Sequence, residues 1–232
     1  MHLQQTDRKF AISDIHGCYR TFKKLLKKVN FDSSDHLYVI GDFLNKGPRT
    51  QPLFEHLYHL SQKGQLSLIR GNHEQMLLDV YEGTRKRYLF DKMGGLATLK
   101  SFGTKKVKSL PIELIEWIHS SPLNLSVDQY IMVHGGIDCT MENPLLEDPV
   151  QLTLRNWYHK INHSLIGDRI ILHGHSPVKR TVIEFQYQKM LYRNYLDLDS
   201  GCAYPMKKGM GFLTIFDMSN QLLFFQKNIE SN

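Results

Sequence analysis

The sequence predicts an α/β fold, a two-sheet β-sandwich flanked by helices. Three observations point there. Short apolar runs of strand length recur: "FAIS", "LYVI", "LSLI", "YIMV", "RIIL" and "YLDLD". Amphipathic helical patterns lie between the early runs, which is the alternation of an α/β protein. After residue 180 the apolar runs crowd together around short turns, as antiparallel strands do.

Each element has its own signature. "FAIS" reads as the first strand. In "YRTFKKLLKKV", Phe22, Leu25, Leu26 and Val29 fall on one helical face and Lys23, Lys24, Lys27 and Lys28 on the other. "LYVI" is the second strand, "PLFEHLYHL" a helix, "LSLI" the third strand and "EQMLLDVYEG" another helix. A helical insertion is expected over about residues 84–122, broken at Gly103 and Pro111, lying over the face of the sheets with loops that shape a substrate cleft. "YIMV" and "RIIL" return to strand. "TVIEFQY", "MLYRNYLDL", "GFLTIFDM" and "QLLFFQK" read as strands, the last two joined by the turn "DMSNQ". No low-complexity linker or internal repeat divides the chain, so one domain over residues 1–232 is expected.

Composition bounds the function. The chain is 41% apolar and 22% charged, ordinary for a globular protein. Cys18, Cys139 and Cys202 are isolated, which argues against a disulfide framework or a thiolate zinc site. The opening "MHLQQTDRKF" lacks the apolar stretch of a signal peptide, and no run reaches the ~20 apolar residues of a membrane helix. The expected setting is the cytoplasm, without a membrane partner. A net charge of +6 favours anionic partners. The densest lysines form the outer face of a helix with no aromatics among them, so specific nucleic-acid binding is not expected.

The residues just past the strand ends carry the chemistry. After "FAIS" come Asp14 and His16; after "LYVI", Asp42; after "LSLI", Arg70, Asn72 and His73; after "YIMV", His134; after "RIIL", His173 and His175. Ligands of open α/β sheets bind outside the carboxyl ends of strands. Aspartate, histidine and asparagine together suit first-row divalent ions. Asp14 and His16, two residues apart, would project to one side of an extended segment. A carboxylate such as Asp42 can bridge two metals. Seven other histidines (His2, His36, His56, His59, His119, His159 and His163) match no motif and are read as surface or core residues.

The ordered motifs "DIHG", "GDFLNKGP", "RGNHE", "VHGG" and "HGHSP" resemble those of the calcineurin-like metallophosphoesterases, most closely the bacterial and phage type of serine/threonine phosphoprotein phosphatase. "GGLATLKSFG" and "LDLDSGCAY" resemble connecting segments of the same proteins. The resemblance implies two sheets between helices and a centre of two divalent metal ions, with Mn²⁺ expected first and Fe or Zn as alternatives. It implies Asp14 and His16 at the first metal, Asp42 bridging, and Asn72, His134 and His175 at the second. His173 falls beside a ligand position. His73 matches the proton donor to the leaving oxygen. Arg155, with Arg70 and Lys46, falls to substrate binding. The implied mechanism is attack on phosphorus by a water or hydroxide bridging the metals.

The loop after the second strand departs from the family's GDxxDRG. Asn45 stands where the aspartate that orients His73 is usual, and Lys46 replaces the phosphate-clamping arginine. An asparagine can accept from the ring N–H but supplies no charge. A lysine keeps the charge and loses the bidentate fork. The related symmetrical dinucleoside tetraphosphatases also depart from aspartate here. The reading favoured from sequence is a serine/threonine protein phosphatase acting on a phosphoprotein or phosphopeptide, with "RGNHE" on its side. A dinucleoside polyphosphate hydrolase is the alternative. A catalytically weak phospho-binding protein of the same fold and a nucleic-acid phosphodiesterase rank behind it.

Overall fold

The computed structural model describes residues 7–230; His2 lies outside them. Nine strands form two sheets among these residues. The first sheet begins with β1 (Lys9–Ile12), β2 (His36–Ile40) and β3 (Leu66–Ile69), which run parallel. Helices α1 (Tyr19–Lys28) and α2 (Thr50–Gln62) make the two crossovers. Parallel neighbours require such long connections. The second sheet contains β4 (Asn124–Val127), β5 (Tyr130–Val133), β6 (Ile170–His173) and β7 (Tyr195–Asp197). The chain then returns to the first sheet through β8 (Phe212–Asp217) and β9 (Leu222–Lys227), antiparallel to each other across the expected turn.

Strand periodicity sorts the core into layers. Phe10 and Ile12 of β1, with Leu37 and Val39 of β2, meet Phe22, Leu25 and Leu57 of the outer helices. The intervening Ala11, Tyr38 and Ile40, with Phe216 of β8, face the other sheet, against Tyr130, Met132 and Leu172. Ile131, Val133 and Ile171 turn the opposite way and pack on Trp157. Alternate side chains of one strand thus serve two layers.

After β3 comes α3 (Asn72–Glu82). The inserted segment then contains α4 (Arg87–Phe90), a π-helical turn at 91–95, α5 (Leu96–Ser101) and α6 (Ile112–Ser120). Gly103, with φ +64, comes just past the end of α5, and Pro111 is the N-cap of α6. A short helix α7 (His163–Ile166) precedes β6.

Two expected strands are helices. "TVIEFQY" lies in α8 (Arg180–Gln188), and the first part of "MLYRNYLDL" forms α9 (Met190–Arg193), leaving a strand of three residues, Tyr195–Asp197. Within this segment Ile183, Gln186 and Met190 are buried, at helical spacing. Val182 and Phe185 face outward, the latter under the Arg193 guanidinium. The β-branched and aromatic residues that suggested a strand are partly on the solvent side. β4, "NLSV", carries too weak an apolar pattern to be read as a strand and pairs antiparallel with β5.

Candidate metal centre

The loops after β1 and β2 are zipped together by their backbones. The amides of Asp14, His16 and Gly17 donate to the carbonyls of Gly41, Asp42 and Phe43, and the Gly47 amide returns to His16 O. The approach is so close that a Cβ on Gly47 would lie 2.1 Å from His16 O. Asp14 and His16 are not extended, as their spacing suggested. Both have positive φ (50° and 47°), as do Asp42, Asn45 and Lys46. Such left-handed non-glycine residues cost about 1–3 kcal/mol each and cluster at functional sites.

Six side chains converge from five strand ends. His16 Nε2 lies 3.7 Å from Asp14 Oδ1 and 3.9 Å from Asp42 Oδ2. His134 Nε2 lies 3.3 Å from Asp42 Oδ1 and 3.0 Å from Asn72 Oδ1. His175 Nδ1 lies 2.8 Å from Asn72 Oδ1, and its backbone amide donates to Asp14 Oδ2. Nδ1–H of His16 donates to Leu44 O (2.8 Å), and Nδ1–H of His134 to Ile40 O (2.9 Å). With the proton held on Nδ1 by a carbonyl, the neutral ring keeps its Nε2 lone pair for a cation.

The electrostatics ask for positive charge. Burial would raise Asp42, but His134 and then His73 hold it well below the ordinary carboxylate range. Burial would lower His134, but Asp42 and Asp14 push it up to about 10. Burial, followed by His134, brings His175 down to about 3. Buried carboxylates, imidazoles and an amide oxygen fit divalent ions, and a bound cation would displace the proton that Asp42 and Asp14 hold on His134.

Two groups of donors share Asp42. One contains His134 and His175; the other contains His16 and His73, so close packing alone would admit His73 as a ligand. Its hydrogen bonds argue otherwise. The Asn45 N–H donates to Thr98 Oγ1 (2.9 Å), and the Thr98 hydroxyl donates to Asn45 Oδ1 (2.8 Å). The Asn45 NH₂ faces His73 Nδ1, at 2.7 Å. An NH₂ only donates, so Nδ1 accepts and the neutral ring carries its proton on Nε2. A protonated Nε2 has no lone pair for a metal. It is a donor facing the site, 3.7 Å from Asp42 Oδ2. This reverses the orientation expected for Asn45, whose oxygen is taken by Thr98. His73 is pushed down to about 4 by burial, against the pull of Asp42 and with the help of Lys46.

The substrate candidates separate. Lys46 Nζ lies 2.7 Å from His16 Nε2, at the centre. Arg155 is at the rim, its Nη2 donating to His175 O at 3.4 Å. Arg70 is committed to protein partners: Nη1 to Gln75 Oε1, and Nη2 to the carbonyls of His119 and Ser121. His173 is buried and points away, against Trp157 and Tyr158. Trp157 in turn donates to Gly135 O and packs on Gly136, which shapes the loop after His134.

Three residues were missed from sequence. Glu74 accepts from the amides of Asp42 (2.6 Å), Gly71 (3.1 Å) and Leu44 (3.2 Å), pinning the loop that presents Asp42. Thr98 sets the Asn45 amide. Asp199 is buried and raised well above the carboxylate range, first by burial and then by Asp14. The acidic pair in "LDLDSG", set in an apolar run, was a readable signal for Asp199. Thr98 had none.

Fold and donor set together define a metal-dependent phosphoesterase. A model of the calcineurin-like phosphoesterase family matches residues 8–202, and the chain belongs to that family. It is 33% identical over 132 residues to the symmetrical bis(5'-nucleosyl)-tetraphosphatase of Buchnera aphidicola subsp. Schizaphis graminum, and 34% over 131 residues to that of Cellvibrio japonicus. Each match takes in 55% of this chain and 44% of the relative, so the chain spans less than half the length of these curated relatives. A solved candidate diadenosine tetraphosphatase superposes with TM-score 0.71 at 19% identity, covering 98% of this chain and 96% of its own. A serine/threonine phosphatase of Saccharomyces cerevisiae superposes with TM-score 0.67 at 13% identity, covering 99% and 82%. At these identities the structures share the fold. Among the described residues, no helix is long and apolar enough to cross a membrane.

Proposed function

We propose that this chain hydrolyses the phosphoanhydride of a dinucleoside polyphosphate. The observation that carries the reading is the Asn45 NH₂ against His73 Nδ1. A donor at that nitrogen opposes the imidazolium, and burial opposes it further. Releasing a serine or threonine alkoxide demands a full proton from an acid. A nucleotide leaves as a phosphate, whose last proton has a pKa near 6, so a hydrogen bond from neutral Nε2–H suffices. The names of the curated relatives support the same substrate class, and the phosphoprotein reading favoured from sequence becomes second.

In this proposal Asp14, His16 and Asp42 hold one divalent ion, and Asp42, Asn72, His134 and His175 a second, Mn²⁺ being the first choice and Fe or Zn the others. Bound divalent ions lower the pKa of water and neutralise phosphoryl charge. Lys46 and Arg155 hold phosphoryl oxygens as point charge and fork. His73 orients the leaving oxygen, and Glu74 keeps the Asp42 loop in place. The cytoplasmic setting expected from the isolated cysteines belongs to the proposal.

The test is kcat/KM of the Mn²⁺-loaded protein on a bis(5'-nucleosyl) tetraphosphate and on a phosphoserine peptide. A preference of about 10²-fold or more for the nucleotide is expected, the low end of what an acid is worth. Equal or faster turnover of the peptide overturns the reading.

A further inference from the structure

A cleft of about 480 Å³ opens at Asn72 and runs along α3. Asn72, Gln75, Met76 and Asp79 form one wall, spaced as one face of the helix; Leu152 and Thr153 stand on the other. From Asn72 to Asp79 the helix advances roughly 10 Å. The volume lies within the range of small-molecule sites, which combine apolar walls with a few fixed polar groups. Met76 and Leu152 supply the apolar surface. The polar groups are a braced chain: Arg70 Nη1 donates to Gln75 Oε1 (2.9 Å), Gln75 Nε2 to Asp79 Oδ1 (2.8 Å), and Arg85 Nε to Asp79 Oδ2 (2.9 Å).

We propose that this cleft binds a nucleoside, that of the half of the substrate away from His73. The inference rests on the polyphosphate reading above and names where its specificity lies. The cleft begins at the donor group of His134 and His175, not at the group containing His73. In a phosphomonoester, the three groups that stay on the attacked phosphorus, equatorial between the incoming water and the leaving oxygen, are all terminal oxygens. In a dinucleoside polyphosphate, one of those three positions carries a further nucleotide, and a cleft leading from Asn72 receives it. The base lies between Met76 and Leu152, and the Gln75–Asp79–Arg85 chain meets ribose or base-edge hydroxyl and amino groups. Thr153, exposed at the mouth, is the residue where bulk closes the cleft without disturbing the core.

The experiment uses the full Mn²⁺-loaded chain and Thr153→Trp, with bis(5'-adenosyl) tetraphosphate, inorganic tripolyphosphate and 4-nitrophenyl phosphate. Thr153→Trp raises KM for the dinucleotide about tenfold, within the range that loss of a base contact produces. It leaves KM for tripolyphosphate and nitrophenyl phosphate unchanged, which also shows that the variant is folded; Thr153→Ser matches the parent on all three. Parallel KM increases on all substrates, or none on the dinucleotide, overturn the cleft assignment while the polyphosphate reading stands. No turnover of the dinucleotide by the parent chain overturns both.

Discussion

Asn45→Asp tests the hydrogen-bond chain at its weakest link. Asn45 is fully buried, with its oxygen on Thr98 and its nitrogen 2.7 Å from His73 Nδ1. Aspartate has the same shape, tolerates the left-handed backbone at φ +68, and can still accept from the Thr98 hydroxyl. The change replaces a donor to Nδ1 with a charged acceptor. His73, held near 4, is imidazolium in about one molecule per thousand at pH 7. An opposite charge in contact raises such a group by about 1–3 pKa units, so imidazolium becomes roughly 10- to 500-fold more abundant. General acid catalysis is worth about 10²–10⁴-fold in full. Turnover of an alkyl phosphate should therefore rise about tenfold or more at neutral pH. Because imidazolium forms as pH falls, the parent's alkyl turnover should climb steadily from pH 8 to 6, while the variant's starts higher and levels off sooner. Nitrophenyl phosphate and the tetraphosphate, whose leaving groups depart without a strong acid, should change less than about threefold. The assay is kcat on alkyl phosphate, nitrophenyl phosphate and tetraphosphate across pH 6–8, with metal content measured in parallel. Unchanged alkyl turnover with metals still bound refutes the coupling of Asn45 to His73. An equal gain on all three substrates refutes the acid role.

His73→Asn should leave metal content intact, because Nε2 carries a proton and offers no lone pair, and should slow the alkyl phosphate more than the aryl one; loss of one metal would make His73 a ligand. Glu74→Gln presents an NH₂ to amides that need acceptors, so it should cost about 1–3 kcal/mol in denaturant unfolding and weaken metal binding through the Asp42 loop. Burial, with the Asp42 charge second, raises Glu74 from 4.5 to about 7, so the folded state binds this proton more tightly than the unfolded chain. Stability should then fall as pH rises from about 4.5 to 7 in metal-free protein, and the glutamine variant should flatten that slope. Chelation should lower Tm reversibly, by the loss of about 2.7 kcal/mol if the ion had stood at 100 times its Kd; an unchanged Tm would mean the donor set binds no ion in the native state.

The residue types at the strand ends were legible because a metal centre needs particular donors, and each donor comes within a few residues of its own strand. The short apolar runs at β1, β2, β3, β5 and β6 were legible for a similar local reason: both faces of these strands are buried, so the apolar run is continuous. Tertiary packing decided the rest. Residues 181–193 hold β-forming side chains yet fold as helices, because Ile183, Gln186 and Met190 find buried places at helical spacing and the Gln186 side chain accepts from the amide of Asp197. Asn45 could be read as an acceptor or a donor toward His73, and its own neighbours in the chain do not choose. Thr98, 53 positions away in the inserted segment, takes its oxygen and leaves the NH₂ for the ring. An amide has two nearly isosteric ends. Which end meets the ring is set among groups that only the folded chain brings together, Thr98 at 2.8 Å on one side and His73 at 2.7 Å on the other.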